Sequence, residues 1–184
     1  MRNTALLVID MLNEYLDKKG QLYCESCRKI IPAISDCIDF ARASEIPVIY
    51  VNTLLNNEND LLAKKWGLHA VAGKFGSKVI EELKPREKDL IVGKKGYNGF
   101  TGTSLNEELK KLRINNIAIT GIHTHVCVLL TAVGGFELGY NITIIEDCIT
   151  TDTKEKHKSR LPFFKTHVGE LVSSKEWIRK MKVI

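Results

Sequence analysis

No apolar run in these 184 residues approaches the ~20 that a membrane-spanning helix needs, so neither a helical membrane protein nor a membrane partner is expected. An export signal is missing too. Arg2 and Asn3 lead straight into Ala5-Leu-Leu-Val-Ile9, and Asp10 ends that run before it reaches the length of a signal core, so a cytoplasmic protein is expected. No Pro/Gly/Ser-rich linker and no internal repeat divides the chain. Residues 1–184 are therefore expected to form a single domain, in keeping with about 150 residues per domain. The net charge of +5 comes without a recognised nucleic-acid motif. Its densest stretches, Lys154 to Arg160 and Trp177 to Lys182, read as solvated faces, which leaves no nucleic-acid partner and only a modest attraction for anionic substrates.

Cysteines are few and odd in number, five in all, which suggests reduced thiols. Cys24 and Cys27 make a C-x-x-C, but no second pair and no adjacent histidine completes a zinc set. The spacing also fits one helix face, and a structural thiol pair is preferred over a redox or metal role.

What is present is an alternation of strand and helix signals over the whole length. Ala5–Ile9 is a continuous apolar strand, and Cys27–Ser44 has helical spacing through Ile30, Ile31, Ile34, Ile38 and Ala41. Val48–Val51 is the second strand. Asn52 to Gly76 is irregular, and a loop that long inside an α/β domain is usually functional or mobile. Ser77–Leu83 reads as a short helix and Asp89–Val92 as a strand. After the turn-rich Gly93–Gly102, Thr103 opens a helix running through Leu112. Asn116–Thr120 is a buried strand, Val126–Leu138 a helix, and Asn141–Ile145 a strand ending at Glu146-Asp147. A charged helical region follows to about His167, then a strand at Gly169–Val172 and a helix at Ser174–Met181. Six strands alternating with helices imply an α/β protein: a three-layer, doubly wound, six-stranded parallel sheet with helices on both faces.

In such a sheet ligands bind beyond the carboxyl ends of the strands. That edge gathers Asp10 after the first strand, Asn52 and Thr53 after the second, Lys94 and Lys95 after the third, His123 to Cys127 after the fourth and Asp147 after the fifth. Cys127 lies at a strand-to-helix turn, where a helix dipole favours a thiolate, so a thiol of pKa about 8.5 could ionise near neutral pH. From position alone it is equally a small buried hydrophobe. With a carboxylate and a lysine on the same edge it becomes a plausible nucleophile.

The chain resembles the isochorismatase-like cysteine hydrolases, a superfamily that includes nicotinamidases, N-carbamoylsarcosine amidases and isochorismatases. The resemblance rests on Leu6-Leu-Val-Ile-Asp10 with Asn13 and Tyr15, on Lys94 to Leu105, on Ile119-Thr-Gly-Ile-His-Thr-His-Val-Cys-Val128 with Thr131 and Ala132, and on Gly139-Tyr with Glu146-Asp147. It implies the isochorismatase-like hydrolase fold, Cys127 as nucleophile, Asp10 as the carboxylate that handles protons, and Lys94 as third member of a triad. Lys94 is chosen over Lys95 because the family lysine lies three residues before the tyrosine matched by Tyr97. It also implies a cis peptide at Ile122–His123, an oxyanion hole made of the His123 and Cys127 backbone N–H groups, and a homodimer or tetramer.

One family feature is missing. Where nicotinamidases carry an Asp-x-His metal pair after the second strand, this chain has Asn52-Thr-Leu-Leu55; His69 is the one remnant, and a single imidazole cannot hold a divalent ion tightly. No metal and no cofactor are therefore expected, and N-carbamoylsarcosine amidase relatives match in character better than nicotinamidases. The expected activity is cleavage of a C–N bond in a small amide, ureido or carbamoyl compound through a thioester. Acid-catalysed vinyl-ether cleavage by Asp10, or a non-catalytic binding subunit on the same fold, are the alternatives. Expected pocket walls are Tyr15, Trp66, Tyr97, Phe100 and His125, an aromatic set able to stack a small planar substrate. For His125 a Cys-His dyad is disfavoured, since residues i and i+2 of a helix point to different sides.

Overall fold

The computed structural model describes residues 3–183. The strands β1 (Thr4–Ile9), β2 (Val48–Thr53), β3 (Leu90–Lys94), β4 (Asn116–Ile122), β5 (Asn141–Thr150) and β6 (Gly169–Val172) form one six-stranded sheet whose pairings are all parallel. The helical segments are α1 (Asn13–Leu16), α2 (Ile31–Ala43), α3 (Leu61–Trp66), α4 (Leu105–Lys111), α5 (Leu129–Glu137), α6 (Lys154–Lys158), α7 (Leu161–Phe163) and α8 (Ser174–Lys182). Strand order is β3-β2-β1-β4-β5-β6, so the winding reverses between β1 and β4. Among the described residues no helix is long and apolar enough to cross a membrane.

β1 shows why the sheet has a layer on each side. Its side chains alternate: Leu6 and Val8 join a core with Ile34 and Ile38 of α2 and Trp177 of α8, whereas Ala5, Leu7 and Ile9 join a second core with Leu105 and Leu109 of α4 and Ala132 of α5. Every β1 residue is buried, which is why it reads as an unbroken apolar run instead of an alternating one. A smaller cluster of Leu55, Leu62 and Ala63 sits beneath the irregular segment after β2 and holds α3 against Leu68 and Tyr97.

Several boundaries differ from the sequence-based expectation. The helix expected from Cys27 begins as a 3-10 turn, Glu25–Ile30, and becomes α-helical only at Ile31; Pro32 fits the first turn of α2 but lacks the N–H needed to continue an upstream α-helix. Ser77–Leu83 is not one helix but two 3-10 turns, Phe75–Ser77 and Glu81–Leu83, because the residues between them are extended and Val79 bridges to Leu12. β5 runs well past Ile145. Against β4, Ile119 pairs with Ile144 but Gly121 pairs with Ile149, so the intervening residues of β5 form an irregularity in the ladder. Asp147 lies within it, and its carboxylate accepts from the N–H and hydroxyl of Ser174 at 2.7 and 2.6 Å at the start of α8. The expectation that Asp147 closes the fifth strand beside the ligand site is thus corrected: Thr150, Thr151 and Asp152 occupy that end.

Gly121 permits the closest approach at the switch point. Its φ is +110°, and a Cβ there would meet the Ile9 carbonyl oxygen at 2.1 Å. Only glycine lets β4 lie this close to the end of β1. Asp10, next after Ile9, has a φ of 52°, a left-handed conformation that aspartate tolerates better than most residues.

Candidate active site

Asp10, Lys94 and Cys127 meet at the switch point. The Lys94 ammonium lies 2.7 Å from Asp10 Oδ2 and 3.4 Å from Cys127 Sγ, and it also donates to Thr53 Oγ1 at 2.8 Å and to the Gly96 carbonyl at 3.2 Å. The other Asp10 oxygen accepts the Thr53 backbone N–H at 2.7 Å. Each member comes from a different strand end: Asp10 just after β1, Lys94 as the last residue of β3, and Cys127 in a π-helical turn, Thr124–Val128, between β4 and α5. Lys94 is completely buried. Burial pushes its pKa down, but Asp10 and Cys127 outweigh this and leave it above the usual lysine range, so the side chain stays a cation. Lys95 instead points outward to Asp60 at 2.8 Å.

The surroundings of the thiol work against ionisation near neutral pH. Burial pushes the Cys127 pKa up and the Asp10 charge pushes it further, against the pull of Lys94, to about 12. Cys127 lies in a π-helical turn that runs straight into α5 at Leu129, and whatever the helix end contributes is opposed there by burial and by the Asp10 charge. Burial and the Asp10 charge therefore favour the thiol, whose sulfur accepts from the Lys94 ammonium at 3.4 Å, and its proton must leave as it attacks.

Lys94 is a cation whose removal would leave Asp10 as an unpaired, desolvated carboxylate. Lys94→Met is expected to destabilise the fold by about 3–5 kcal/mol. At roughly 2–4 °C per kcal/mol for a chain of this size, the midpoint of thermal unfolding should fall by about 10 °C. The double variant Asp10→Asn/Lys94→Met should regain more than half of that loss, because both charges are then gone. Thermal unfolding of the two variants beside the unaltered protein measures both shifts.

A cavity of about 370 Å³ opens over this cluster. Of the expected walls, Tyr15, Trp66, Tyr97 and His125 line it, as do His69 and His123. Trp66 Nε1 donates to Tyr97 Oη at 2.8 Å, joining α3 to the loop after β3 at the rim. Tyr15 is buried beside Asp10, and burial together with that charge holds its phenol well above the ordinary range, so it faces the cavity as a neutral O–H. Phe100 is the exception. It stacks on Tyr140 with centroids 5.8 Å apart and packs into the core beneath α4 and α5, away from the cavity. The turn-rich stretch Gly93–Gly102 places only some of its aromatics on the cavity side, and spacing could not say which.

Other wall residues carried no sequence signal. The loop Gln21–Cys24 forms one side and Asp152 with Lys156 another. Buried Glu14 ties the Gln21–Cys24 loop to the segment that carries His69: its carboxylate accepts the Gln21 N–H at 2.8 Å and the Ala70 N–H at 2.9 Å. Cys24 and Cys27 are joined as a disulfide, whereas Cys37, Cys127 and Cys148 are free. This corrects the expectation of uniformly reduced thiols, and the bond closes the turn that presents Tyr23 and Cys24 to the cavity. His69 directs Nδ1 to the Gly67 carbonyl at 2.8 Å. The Ile122–His123 peptide is cis.

A doubly wound α/β sheet with a cysteine, a carboxylate and an ammonium at its switch point defines a hydrolase of the cysteine type. The chain belongs to the isochorismatase family: the Isochorismatase domain model matches residues 4–176. Among curated proteins it is 31% identical over 169 residues to a ureidoacrylate amidohydrolase of Pseudomonas savastanoi pv. phaseolicola, covering 78% of this chain and 69% of that one. Among solved structures it superposes on a cysteine hydrolase from Pseudomonas syringae pv. phaseolicola with a TM-score of 0.92 and 25% identity, covering 98% of this chain and 93% of the other. N-carbamoylsarcosine amidase from Thermoplasma acidophilum superposes with a TM-score of 0.83 and 29% identity, over 94% and 96% of the two chains.

Proposed function

We propose that the protein hydrolyses a C–N bond of a small amide, ureido or carbamoyl compound, with Cys127, Asp10 and Lys94 as its catalytic triad. The observation that carries this reading is the Lys94 ammonium set between Asp10 Oδ2 at 2.7 Å and Cys127 Sγ at 3.4 Å, all beneath one cavity. Asp10 takes the thiol proton as sulfur attacks the carbonyl carbon, and the Lys94 charge stabilises the sulfur as it loses that proton. The oxyanion is received by the backbone N–H groups of His123 and Cys127, donors of a kind each able to contribute roughly 3 kcal/mol to a transition state. Asp10 then gives its proton to the leaving nitrogen as the C–N bond breaks. Water, deprotonated by Asp10, next cleaves the thioester and restores the thiol. The substrate class is further supported by two relatives whose names place them on ureido and carbamoyl compounds, and a cavity of about 370 Å³ suits a molecule of that size.

The test is intact-protein mass spectrometry after rapid acid quenching of the protein mixed with a panel of small amides, ureido acids and carbamoyl compounds. A hydrolysed member of the panel is expected to leave an acyl adduct that maps to Cys127. Turnover with no adduct at any quench time, or an adduct on another residue, would overturn the assignment.

A further inference from the structure

On the wall facing the triad, one buried hydroxyl touches three polar groups at once. Thr151 Oγ1 lies 2.9 Å from Asp152 Oδ1, 2.9 Å from His125 Nδ1 and 3.2 Å from His123 Nδ1. A hydroxyl has a single proton and two lone pairs, so the three contacts can be satisfied in only a few ways. Asp152 decides among them. Its other oxygen is 2.5 Å from the Lys156 ammonium, so it is a carboxylate that can only accept. Burial would raise its pKa, but the bonds from Lys156 and Thr151 hold it down to about 2. The Thr151 proton therefore goes to Asp152, and both oxygen lone pairs face the imidazoles. Each Nδ1 must then bring its own proton. For His123 a second contact agrees: Cys27 Sγ lies 3.9 Å from the same Nδ1, and a disulfide sulfur has no proton to offer.

Burial lowers the pKa of both histidines, so near neutral pH each ring carries one proton. With that proton on Nδ1, each Nε2 is a bare lone pair on the side of the ring away from Thr151. Both rings border the cavity, with centroids 6.3 Å apart, and neither Nε2 has a partner among the described residues. We propose that Thr151 and Asp152 lock His123 and His125 in the Nδ1–H form, so that their Nε2 atoms make an acceptor pair in the cavity wall that selects substrates bearing an unsubstituted N–H-rich group, such as a ureido or carbamoyl NH2. This rests on the amidohydrolase reading for its use, but the proton positions do not depend on it. Thr151 is a positioning residue here, and the two imidazoles determine specificity.

The test is long-range 1H–15N NMR of the histidine rings at neutral pH, with methylurea as an N–H-bearing probe and tetramethylurea as one without N–H. In the unaltered protein both His123 and His125 should show the Nδ1–H signature, and methylurea should shift their Nε2 resonances while tetramethylurea does not. Thr151→Val should move the rings toward Nε2–H and weaken methylurea binding by up to about tenfold for each acceptor lost. Thr151→Ser should keep both signatures, so a folding defect in the valine variant leaves the comparison intact. An Nε2–H or doubly protonated ring in the unaltered protein would overturn the proposal, as would equal effects of the two probes. Nδ1–H rings with the expected probe response in a protein that hydrolyses no amide would sink the amidohydrolase reading and leave the acceptor pair standing.

Discussion

Cys127→Ala is expected to abolish amide hydrolysis, lowering kcat by on the order of 10⁶-fold, the scale of deleting the nucleophile from a hydrolase triad. The fold should survive. Cys127 is a small buried side chain whose hydrogen bond comes from Lys94 at 3.4 Å, and alanine leaves the ion pair of Lys94 with Asp10 at 2.7 Å untouched. The loss should appear in kcat, while binding of methylurea-like probes changes little, because the remaining cavity walls are intact. The same variant separates the competing chemistries. Vinyl-ether cleavage by Asp10 acting as an acid needs no sulfur, so isochorismate cleavage that persisted in Cys127→Ala would replace the thioester reading. Steady-state kinetics on an amide panel and on isochorismate, with circular dichroism as the fold control, decide between these outcomes. Hydrolysis of any amide at more than a few per cent of the unaltered rate would remove Cys127 from the mechanism.

That Asp10, Cys127 and one of Lys94 and Lys95 share an edge was legible in the strand signals, because strand ends in a parallel sheet share one edge whatever lies between them, whereas the choice of Lys94 rested on the family resemblance. The same reasoning placed Asp147 at that edge and failed, since the ladder irregularity in β5 has no side-chain signature and carries the strand on to Thr150. Thr151, Asp152 and Lys156 were missed for this reason, and with them the wall that orients His123 and His125. Loop walls were harder still. Gln21 to Cys24 reach the cavity through the buried Glu14 carboxylate and the Cys24–Cys27 bond, both long-range facts that periodicity does not encode. Trp66 and Tyr97 were named as walls for being aromatic and able to stack a planar substrate, and Phe100 shows how far that criterion carries. Three residues beyond Tyr97, it turns into the core against Tyr140. The forces on the thiol were hidden for a different reason. A helix end was assumed to lie at Cys127, whereas desolvation and the neighbouring carboxylate dominate there.

The second large effect is expected from Asp10→Asn, and it should split two reactions of the same sulfur. Amide hydrolysis needs a group that takes the thiol proton and returns it to the leaving nitrogen, and asparagine can do neither, so kcat should fall by roughly 10²–10⁴-fold. Simple alkylation by iodoacetamide needs only a thiolate. In the unaltered protein burial and the Asp10 charge together hold the thiol at about 12 against the pull of Lys94. Removing a negative charge from beside an acid favours its anion, so the Cys127 pKa should fall in Asp10→Asn, with the Lys94 ammonium left to pair with the thiolate at 3.4 Å. At a fixed pH below the midpoint, alkylation should then speed up by about tenfold for each unit the pKa drops. The pH profile of iodoacetamide labelling, followed by mass spectrometry at Cys127, gives that midpoint directly, and hydrolysis of the preferred amide gives the other arm. Opposite changes in the two rates would identify Asp10 as the proton carrier of a resting thiol. A parallel fall in both would mean that asparagine had disturbed the geometry of the site, and a parallel rise would remove Asp10 from proton transfer altogether.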